Sequence, residues 1–432
     1  MFLYSLTGDD NIINKFKINE DNDLYKVEQV EEKAVLVGLN ESELNELELL
    51  VETAGAESIL KMTYHDRKVD PAYYIGSGKV KEIKEAAETV EANLIVFDNE
   101  LSPVQQRNLE DSIEIKVIDR SQVILDIFAR HAHSRESKIQ VELAQLEYRL
   151  PRLQGRGVEM SRLAGGIGTR GPGETKLEVD RRRIEKKIYR LKEKLKEIKA
   201  SREVQRSSRR DPLAALVGYT NAGKSTLMNR LAGADSYTAD KLFATLDSTM
   251  RQLKLPVGQN IILSDTVGFI SKLPHQLVAS FRTTLEEIEN ADIILHLIDA
   301  SNPDMEKNIR VVNNEIKDLV EVDCKIIKVF NKIDLIEKSS LADLKIIYPD
   351  ALFISALKGI NTQSVISKLN EIISQDMVEV ELDLPYSEAA WVEKIHNTAK
   401  VYTEEYQKNN IYLKALLPKT TAAKLKKYRR EA

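Results

Sequence analysis

Apolar and polar residues follow two different periods over the first 130 positions. Residues 43–55 repeat leucine and valine at helical spacing, and residues 102–112 begin with a helix N-cap pattern. Three short apolar runs predict buried strands at residues 34–40, 92–100 and 113–120. Strands that alternate with helices favour a small parallel sheet, so we predict an N-terminal α/β domain over 1–130.

The pattern changes at residue 139 to apolar positions four and three residues apart. The first series is Ile139, Leu143, Leu146, Leu150 and Leu153, and the second is Ile184, Ile188, Leu191, Leu195 and Ile198. Two such series on either side of a glycine-rich stretch predict an antiparallel helical hairpin over residues 131–205. Pro151 has no amide donor, so it should kink or end the first helix.

The second half of the chain contains two further patterns. Residues 206–375 hold apolar strand-like runs that each end in a polar loop. After residue 376 the chain alternates as a strand, with Val378, Val380, Leu382 and Leu384 on one face. We predict a nucleotide-binding α/β domain over 206–375 and a small α+β domain over 376–432.

Charge is distributed unevenly along the chain. The formal net charge is −5, yet residues 151–210 carry nineteen Lys and Arg against eight acidic residues. Local potential governs polyanion binding, so this basic segment is a candidate for contact with nucleic acid. The one cysteine excludes an internal disulfide, and no apolar run could span a bilayer. We expect a monomeric cytoplasmic protein without membrane insertion.

The glycine-rich stretch GGIGTRGPGETK, residues 165–176, lies at the tip of the predicted hairpin. Glycine lets backbone amides approach a partner closely, but the stretch lacks the spacing of a phosphate loop. We interpret it as a basic finger for RNA phosphates; a second nucleotide site and a mobile connector are the alternatives. The predicted RNA contacts are Arg156, Arg162, Arg170 and Lys176.

A loop with phosphate-binding spacing follows an apolar run at 213–217. The spacing is Gly-x-x-x-x-Gly-Lys-Ser between a predicted strand and a predicted helix. In such a loop backbone amides hold phosphate, the lysine bridges β and γ oxygens, and the serine hydroxyl can ligate Mg²⁺. The predicted nucleotide contacts here are Gly218, Tyr219, Thr220, Asn221, Ala222, Gly223, Lys224, Ser225 and Thr226.

Three further motifs each follow a predicted strand. Asp265 can anchor the Mg²⁺ shell, and the Gly268 amide can contact a γ-phosphate. Asp334 can accept from both N1–H and the 2-amine of guanine, which adenine cannot supply, so the nucleotide is predicted to be GTP. The contacts predicted in these motifs are Asp265, Thr266, Val267, Gly268, Asn331, Lys332, Ile333, Asp334, Ser355, Ala356 and Leu357.

The segment FATLD, residues 243–247, lies between the phosphate loop and Asp265. A threonine in such a segment completes the Mg²⁺ shell only when γ-phosphate is present. Thr245 is the predicted ligand and Thr249 the alternative, because spacing does not decide between them. We predict GTP contacts from Phe243, Ala244, Thr245, Leu246 and Asp247, and a Mg²⁺ site made by Ser225, Thr245 and Asp265.

Phe269 occupies the position after Asp-x-x-Gly, where many small GTPases have a glutamine that orients the attacking water. Phenylalanine makes no such hydrogen bond, so we predict slow intrinsic hydrolysis that a partner stimulates. Asn221 resembles the asparagine with which some GTPases of this type hold a catalytic K⁺ ion; a loop-stabilising side chain is the alternative. The predicted catalytic residues are Lys224, Thr245, Gly268 and Asn221.

Taken together, these motifs resemble the HflX family of translational GTPases over nearly the whole chain. The resemblance rests on GYTNAGKST, LFATLD, DTVGFI, NKID and SALKG, and on the family-specific GGIGTRGPGETKLEVDRRRI upstream. It implies binding to the large ribosomal subunit and, in some members, splitting or rescue of stalled ribosomes after stress. It also implies that the glycine-rich loop approaches RNA near the peptidyl-transferase region.

The predicted fold is therefore α/β. A P-loop GTPase domain follows a small α/β domain with a long helical hairpin, and it precedes a small α+β domain. Two alternative functions stay open at this point. One is a GTP-gated regulator that binds a protein partner, and the other is an ATP-dependent RNA remodeller acting through residues 1–130, which rests on the resemblance alone.

Overall fold

The computed structural model describes ten stretches of the chain: residues 16–18, 24–26, 31–65, 69–155, 172–207, 211–233, 243, 249–272, 287–319 and 324–430. The chain divides into two compact units, Met1–Arg120 and Ser121–Ala432. None of the helices within the described stretches combines the length and apolar character that a membrane crossing requires.

Within its described residues, the first unit contains six strands and three helices. The strands are β1 (Phe16–Ile18), β2 (Leu24–Lys26), β3 (Lys33–Gly38), β4 (Glu57–Thr63), β5 (Leu94–Phe97) and β6 (Lys116–Asp119). The helices are α1 (Glu41–Ala54), α2 (Ser77–Thr89) and α3 (Pro103–Ile113). Strands β4, β3, β5 and β6 form a parallel sheet in that order, and β1 pairs with β2.

Local sequence explains most of these elements. Ser102 and Gln105 form a capping box at the start of α3, and Gly55 ends α1 in the left-handed conformation. The buried strands and the helix predicted from the apolar pattern are confirmed. Strand β4 was not predicted, because its sequence ESILKMT is half-buried and does not alternate cleanly.

The described helices that follow are α4 (Arg120–His131), α5 (Arg135–Arg149) and α6 (Pro172–Ser207), and α4 begins at the last residue of the first unit. Helices α5 and α6 pack through Ile139, Leu143 and Leu191, as the two apolar series predict. They run in opposite directions, since Glu136 near the start of α5 pairs with Arg202, and Glu147 near its end pairs with Lys192. The hairpin prediction is confirmed.

Pro151 ends the first hairpin helix, as its missing amide predicts. Helix α5 stops at Arg149, and a 3₁₀ turn follows over Pro151–Gly155. Leu150 caps the helix and Leu153 lies in the turn, so the apolar series extends one turn beyond the helix itself.

A six-stranded sheet forms the centre of the second unit. Its strands are β7 (Leu213–Gly218), β8 (Thr249–Lys254), β9 (Asn260–Asp265), β10 (Ile293–Asp299), β11 (Lys325–Asn331) and β12 (Leu352–Phe353). The order is β12-β11-β10-β7-β9-β8, and β8 alone runs antiparallel to its neighbour. The helices are α7 (Lys224–Ala232), α8 (Met305–Leu319), α9 (Lys338–Ile347) and α10 (Thr362–Ser374). Ligands of such sheets bind at the carboxyl ends of the strands.

A three-stranded antiparallel sheet closes the chain. Its strands are β13 (Met377–Pro385), β14 (Lys400–Tyr406) and β15 (Asn410–Pro418), in the order β13-β15-β14, and its helices are α11 (Ala390–Thr398) and α12 (Lys419–Lys424). Val380, Leu382 and Leu384 are buried in its core, which confirms the predicted alternation. The bounds of the four predicted domains stay a prediction.

Candidate functional site

Two glycines shape the loop between β7 and α7. A Cβ on Gly218 would lie 2.3 Å from the carbonyl oxygen of Leu297 on the neighbouring strand β10. Gly223 has φ 92°, and a Cβ there would lie 2.3 Å from Nδ2 of Asn331. Both positions therefore require glycine. At Gly218 the backbone of Leu297 is too close for a Cβ, and at Gly223 both the closeness of Asn331 and the positive φ exclude other residues.

Lys224, the first residue of α7, is buried directly beneath this loop. Its Nζ donates to the carbonyl oxygens of Gly218 (3.1 Å) and Tyr219 (3.0 Å). Burial lowers the pKa of the Lys224 ammonium to about 8, although the carboxylate of Asp265 opposes the shift. The loop thus holds one cation whose charge a phosphate would stabilise.

Ser225 and Asp265 place two side chains with oxygen atoms beside Lys224. The Ser225 hydroxyl donates to Oδ2 of Asp265 at 2.6 Å, and the aspartate is almost fully buried at the end of β9. Mg²⁺ is held in nucleotide sites by one or two such protein oxygens together with phosphates and water, so this pair fits that ion. No cluster of three or more metal-ligating His, Cys, Asp or Glu occurs among the described residues.

Phe269 lies in the apolar core beneath the loop and is 2% exposed. Its backbone is tied to the phosphate loop, because its N–H donates to Gly218 O (3.1 Å) and its carbonyl accepts from Thr220 N–H (2.7 Å). A Cβ on Gly268 would lie 2.9 Å from both Thr220 Cα and Lys224 Nζ. The residue after Asp-x-x-Gly is therefore a core side chain that does not reach toward solvent.

Asn331 connects the phosphate loop to the loop at residues 355–357. Its buried side chain donates from Nδ2 to the carbonyl of Ala222 (2.8 Å) and accepts at Oδ1 from the amide of Ala356 (2.9 Å). Ser355 stabilises the second loop by accepting from Lys358 N–H at 3.2 Å. These contacts bring three of the predicted motifs together at one edge of the sheet.

The residues that follow Asn331 present charged groups at the same edge. Lys332 adopts the left-handed conformation, and its Nζ pairs with Oδ2 of Asp299 at 2.7 Å. Asp299 also accepts from the backbone and hydroxyl of Ser301, so it caps the end of β10. Asp334 is half-buried, and no described residue donates to its carboxylate.

The remaining predicted residues are placed less completely. Asn221 lies at the exposed apex of the phosphate loop with φ 60°. Thr249 is exposed and pairs with Asp265 across β8 and β9. Lys176 belongs to α6, and its side chain lies outside the described residues. The residues wholly outside the described stretches are Arg156, Arg162, Arg170, Ala244, Thr245, Leu246 and Asp247.

Sequence reasoning missed a contact that reaches the segment 243–247 from outside the nucleotide-binding motifs. The ring of Phe243 is buried and packs edge-on against Phe128 of α4, with ring centroids 4.7 Å apart. Phe243 has φ 54°, a conformation that bulky side chains rarely adopt. Phe128 belongs to no sequence motif, and it lies more than a hundred positions before Phe243, so the sequence gives no signal for this contact.

The lowered pKa of Lys224 predicts how nucleotide affinity depends on pH. Phosphate oxygens stabilise the ammonium, so the pKa is higher in the bound state and affinity falls as pH rises through about 8. Between pH 7 and 8.5 we expect a roughly fourfold loss of GDP affinity in calorimetric titrations. Lys224→Arg stays charged over this range, so its GDP affinity should not change with pH. If the GDP affinity of the wild type did not change with pH, the proposed contact between the Lys224 ammonium and the phosphates would be wrong.

Family comparisons agree with the order of these elements. A family model described as GTP-binding GTPase N-terminal matches residues 41–129, and one described as GTP-binding GTPase Middle Region matches residues 131–209. A third, described as 50S ribosome-binding GTPase, matches residues 213–332. Together the three models cover the first unit from α1 onward, the hairpin, and the nucleotide-binding motifs up to Lys332.

Individual relatives extend over most of the chain. A GTP-binding protein from the archaeon Sulfolobus solfataricus, solved with GDP, is 25% identical with a TM-score of 0.44 and covers 79% of this chain and 99% of its own. The GTPase HflX of Escherichia coli is 41% identical over 83% of this chain and 86% of its own length. That of Caldanaerobacter subterraneus subsp. tengcongensis is 46% identical over 89% and 90%. The chain therefore belongs to the HflX family of GTPases.

Proposed function

We propose that this GTPase binds Mg²⁺ and GTP at the carboxyl edge of the six-stranded sheet, and that bound GTP controls its binding to the large ribosomal subunit. There it acts on stalled or stressed ribosomes, by splitting or rescue, and hydrolysis to GDP and phosphate times its release. The observation that carries the proposal is the double hydrogen bond of Asn331, which joins the phosphate loop to the loop at 355–357.

In this proposal the phosphates lie over the amides of residues 218–226, where Lys224 bridges β and γ oxygens. Asp334 accepts from N1–H and the 2-amine of guanine, and the half-buried carboxylate is available for both because no described residue donates to it. Lys332 is held at the same edge of the sheet by its pair with Asp299.

Ser225 and Asp265 are proposed to hold Mg²⁺ with Thr245, and Thr249 is the alternative to Thr245. When bound, Mg²⁺ neutralises charge that develops on the β- and γ-phosphates. The Gly268 amide is proposed to contact the γ-phosphate, since Gly268 lies against Lys224. Thr245 and Gly268 are expected to have different contacts in the GTP-bound and GDP-bound protein, because only GTP carries the γ-phosphate.

Burial of Phe269 supports slow intrinsic hydrolysis. The ring belongs to the core, so it leaves the attacking water without a side chain at this position. Asn221, exposed at the loop apex, is proposed to hold K⁺, which supplies positive charge beside the phosphates. The remaining stimulation comes in trans from the ribosome, where a partner can contribute roughly 10³–10⁵ in rate.

Ribosome binding is supported by three observations. The family model over 213–332 is described as a 50S ribosome-binding GTPase, and the curated relatives are named GTPase HflX. The stretch 151–210 is strongly basic, and Arg156, Arg162, Arg170 and Lys176 are proposed to contact ribosomal RNA. A cytoplasmic monomer is the proposed working form. No described feature favours the protein-partner or ATP-dependent alternatives.

Hydrolysis rates in four mixtures test the catalytic part of the proposal. GTP turnover is measured in potassium and in sodium buffer, each with and without purified large subunits. We expect large subunits in potassium to accelerate hydrolysis roughly 10³-fold over protein alone, and sodium to remove part of that gain. Equal rates in all four mixtures would contradict both the trans stimulation and the role of Asn221.

A further inference from the structure

Arg230 lies in the last turn of α7, the helix whose first residue is Lys224. Its guanidinium makes two hydrogen bonds to the loop at 355–357: Nε donates to the carbonyl of Ala356 (3.2 Å) and Nη2 to that of Leu357 (2.7 Å). Gly359, in the left-handed conformation, lies beside it, and a Cβ there would be in ordinary contact at 3.7 Å from Arg230 Cζ. One helix thus contacts both the phosphate loop and the second loop.

These two bonds orient the amides of the loop as well as its carbonyls. In a trans peptide the C=O and the following N–H point in opposite directions. Because Arg230 holds the Ala356 carbonyl, the Leu357 N–H points away from the guanidinium. The Leu357 carbonyl likewise fixes the Lys358 N–H, which donates to Ser355 Oγ at 3.2 Å.

Among the amides of residues 356–358, the Leu357 N–H is the one without an acceptor in the described part of the protein, so it can donate to a ligand. The Ala356 N–H donates to Asn331, and the Lys358 N–H donates to Ser355. No described residue accepts a hydrogen bond from the Leu357 N–H. Guanine has an acceptor, O6, where adenine has an amine donor, so an amide directed at this position favours guanine.

We propose that Arg230 is a positioning residue for guanine selection: it holds the 356–358 peptides so that the Leu357 N–H donates to O6. This inference rests on the guanine site proposed above. It assigns the two faces of the base to different parts of the protein. Asp334 contacts N1–H and the 2-amine, and the loop held by Arg230 contacts O6.

Nucleotide analogues separate these two contributions. GDP and IDP both carry O6, and IDP lacks the 2-amine; the diphosphate of 2-aminopurine riboside keeps the 2-amine and lacks both O6 and the N1 proton, so the effect of Arg230 is read from the change that each variant causes for each nucleotide. Affinities of the three are measured by competition for wild type, Arg230→Ala and Arg230→Lys. Arg310→Ala is the matched control, because Arg310 is an exposed arginine on α8, away from the loop.

We expect Arg230→Ala to lose roughly 10-fold affinity for GDP and for IDP alike, with the 2-aminopurine nucleotide unchanged within about twofold. Arg230→Lys keeps the charge but loses the two-pronged geometry, so an intermediate loss is expected. Arg310→Ala should match wild type. Unchanged GDP affinity in Arg230→Ala, or an equal loss for all three nucleotides, would overturn the inference. Wild type that does not prefer GDP to ADP would instead refute the guanine site itself.

Discussion

Gly223→Ala should lower GDP affinity by about 100-fold or more. The new Cβ would lie 2.3 Å from Nδ2 of Asn331, and the backbone φ of 92° is costly for alanine. Asn331 would have to leave the carbonyl of Ala222, which breaks the connection between the phosphate loop and the loop at 355–357. The measurement is calorimetric titration with GDP, alongside thermal unfolding without nucleotide.

Gly233→Ala is the matched control for this change. Gly233 also has positive φ, at 65°, at the other end of α7, but a Cβ there meets no atom of the described residues within 4 Å. Gly233→Ala therefore introduces backbone strain but no clash. We expect its free energy of unfolding to fall by about 1 kcal/mol and its GDP affinity to stay nearly unchanged. Equal losses of GDP affinity in the two variants would show that strain, rather than displacement of Asn331, is responsible.

Asp334→Asn should reverse the choice between guanine and xanthine. The amide cannot accept from both N1–H and the 2-amine of guanine, so GDP affinity should fall roughly 10³-fold. Xanthine has an oxygen in place of the 2-amine, and the Asn Nδ2 can donate to it, so affinity for XDP should rise. Both affinities are measured by competition against a fluorescent GDP analogue.

The control for this change is Asp343→Asn, which alters an exposed carboxylate on α9. It should leave the ratio of GDP to XDP affinity at the wild-type value. If Asp334→Asn also left that ratio unchanged, the carboxylate would have no part in base selection and the guanine assignment would be wrong.

The sequence predicted much of the site because its motifs are local. The spacing from Gly218 to Ser225 fixes a strand, a loop and a helix start within eight residues, and each later motif follows an apolar run that becomes a parallel strand. Parallel strands bring their carboxyl ends to one edge, so the motifs meet there without further information. The hairpin followed for a similar reason, because a repeated apolar spacing specifies which faces pack.

Long-range contacts could not be predicted in the same way. Arg230 meets Ala356 and Leu357 more than 120 positions later in the chain, and nothing in the sequence around Arg230 distinguishes it from a solvated helix arginine. The contact between Phe128 and Phe243 likewise joins residues that are far apart in the chain and that no local pattern distinguishes. Such contacts depend on how the elements pack against one another, which apolar spacing alone does not specify.

For Phe269 the sequence predicted the effect on catalysis but not the packing of the ring. Its identity alone indicated that no glutamine orients the attacking water. The structure adds a reason for the aromatic ring, since Phe269 is buried among Leu213, Val217 and Ile294 and its backbone is bonded to the phosphate loop. A polar replacement at this position would lose core packing, so the residue contributes to stability as well as leaving catalysis to other groups.

Co-sedimentation with purified large ribosomal subunits tests the central claim most directly. Wild type and the triple variant Arg156→Ala, Arg162→Ala and Arg170→Ala are compared with a non-hydrolysable GTP analogue and with GDP, over a range of salt concentrations. The proposed function predicts that wild type pellets with large subunits in the GTP analogue and is released in GDP, with binding that weakens as salt rises and is lost in the triple variant. Equal pelleting of wild type in both nucleotides would contradict it.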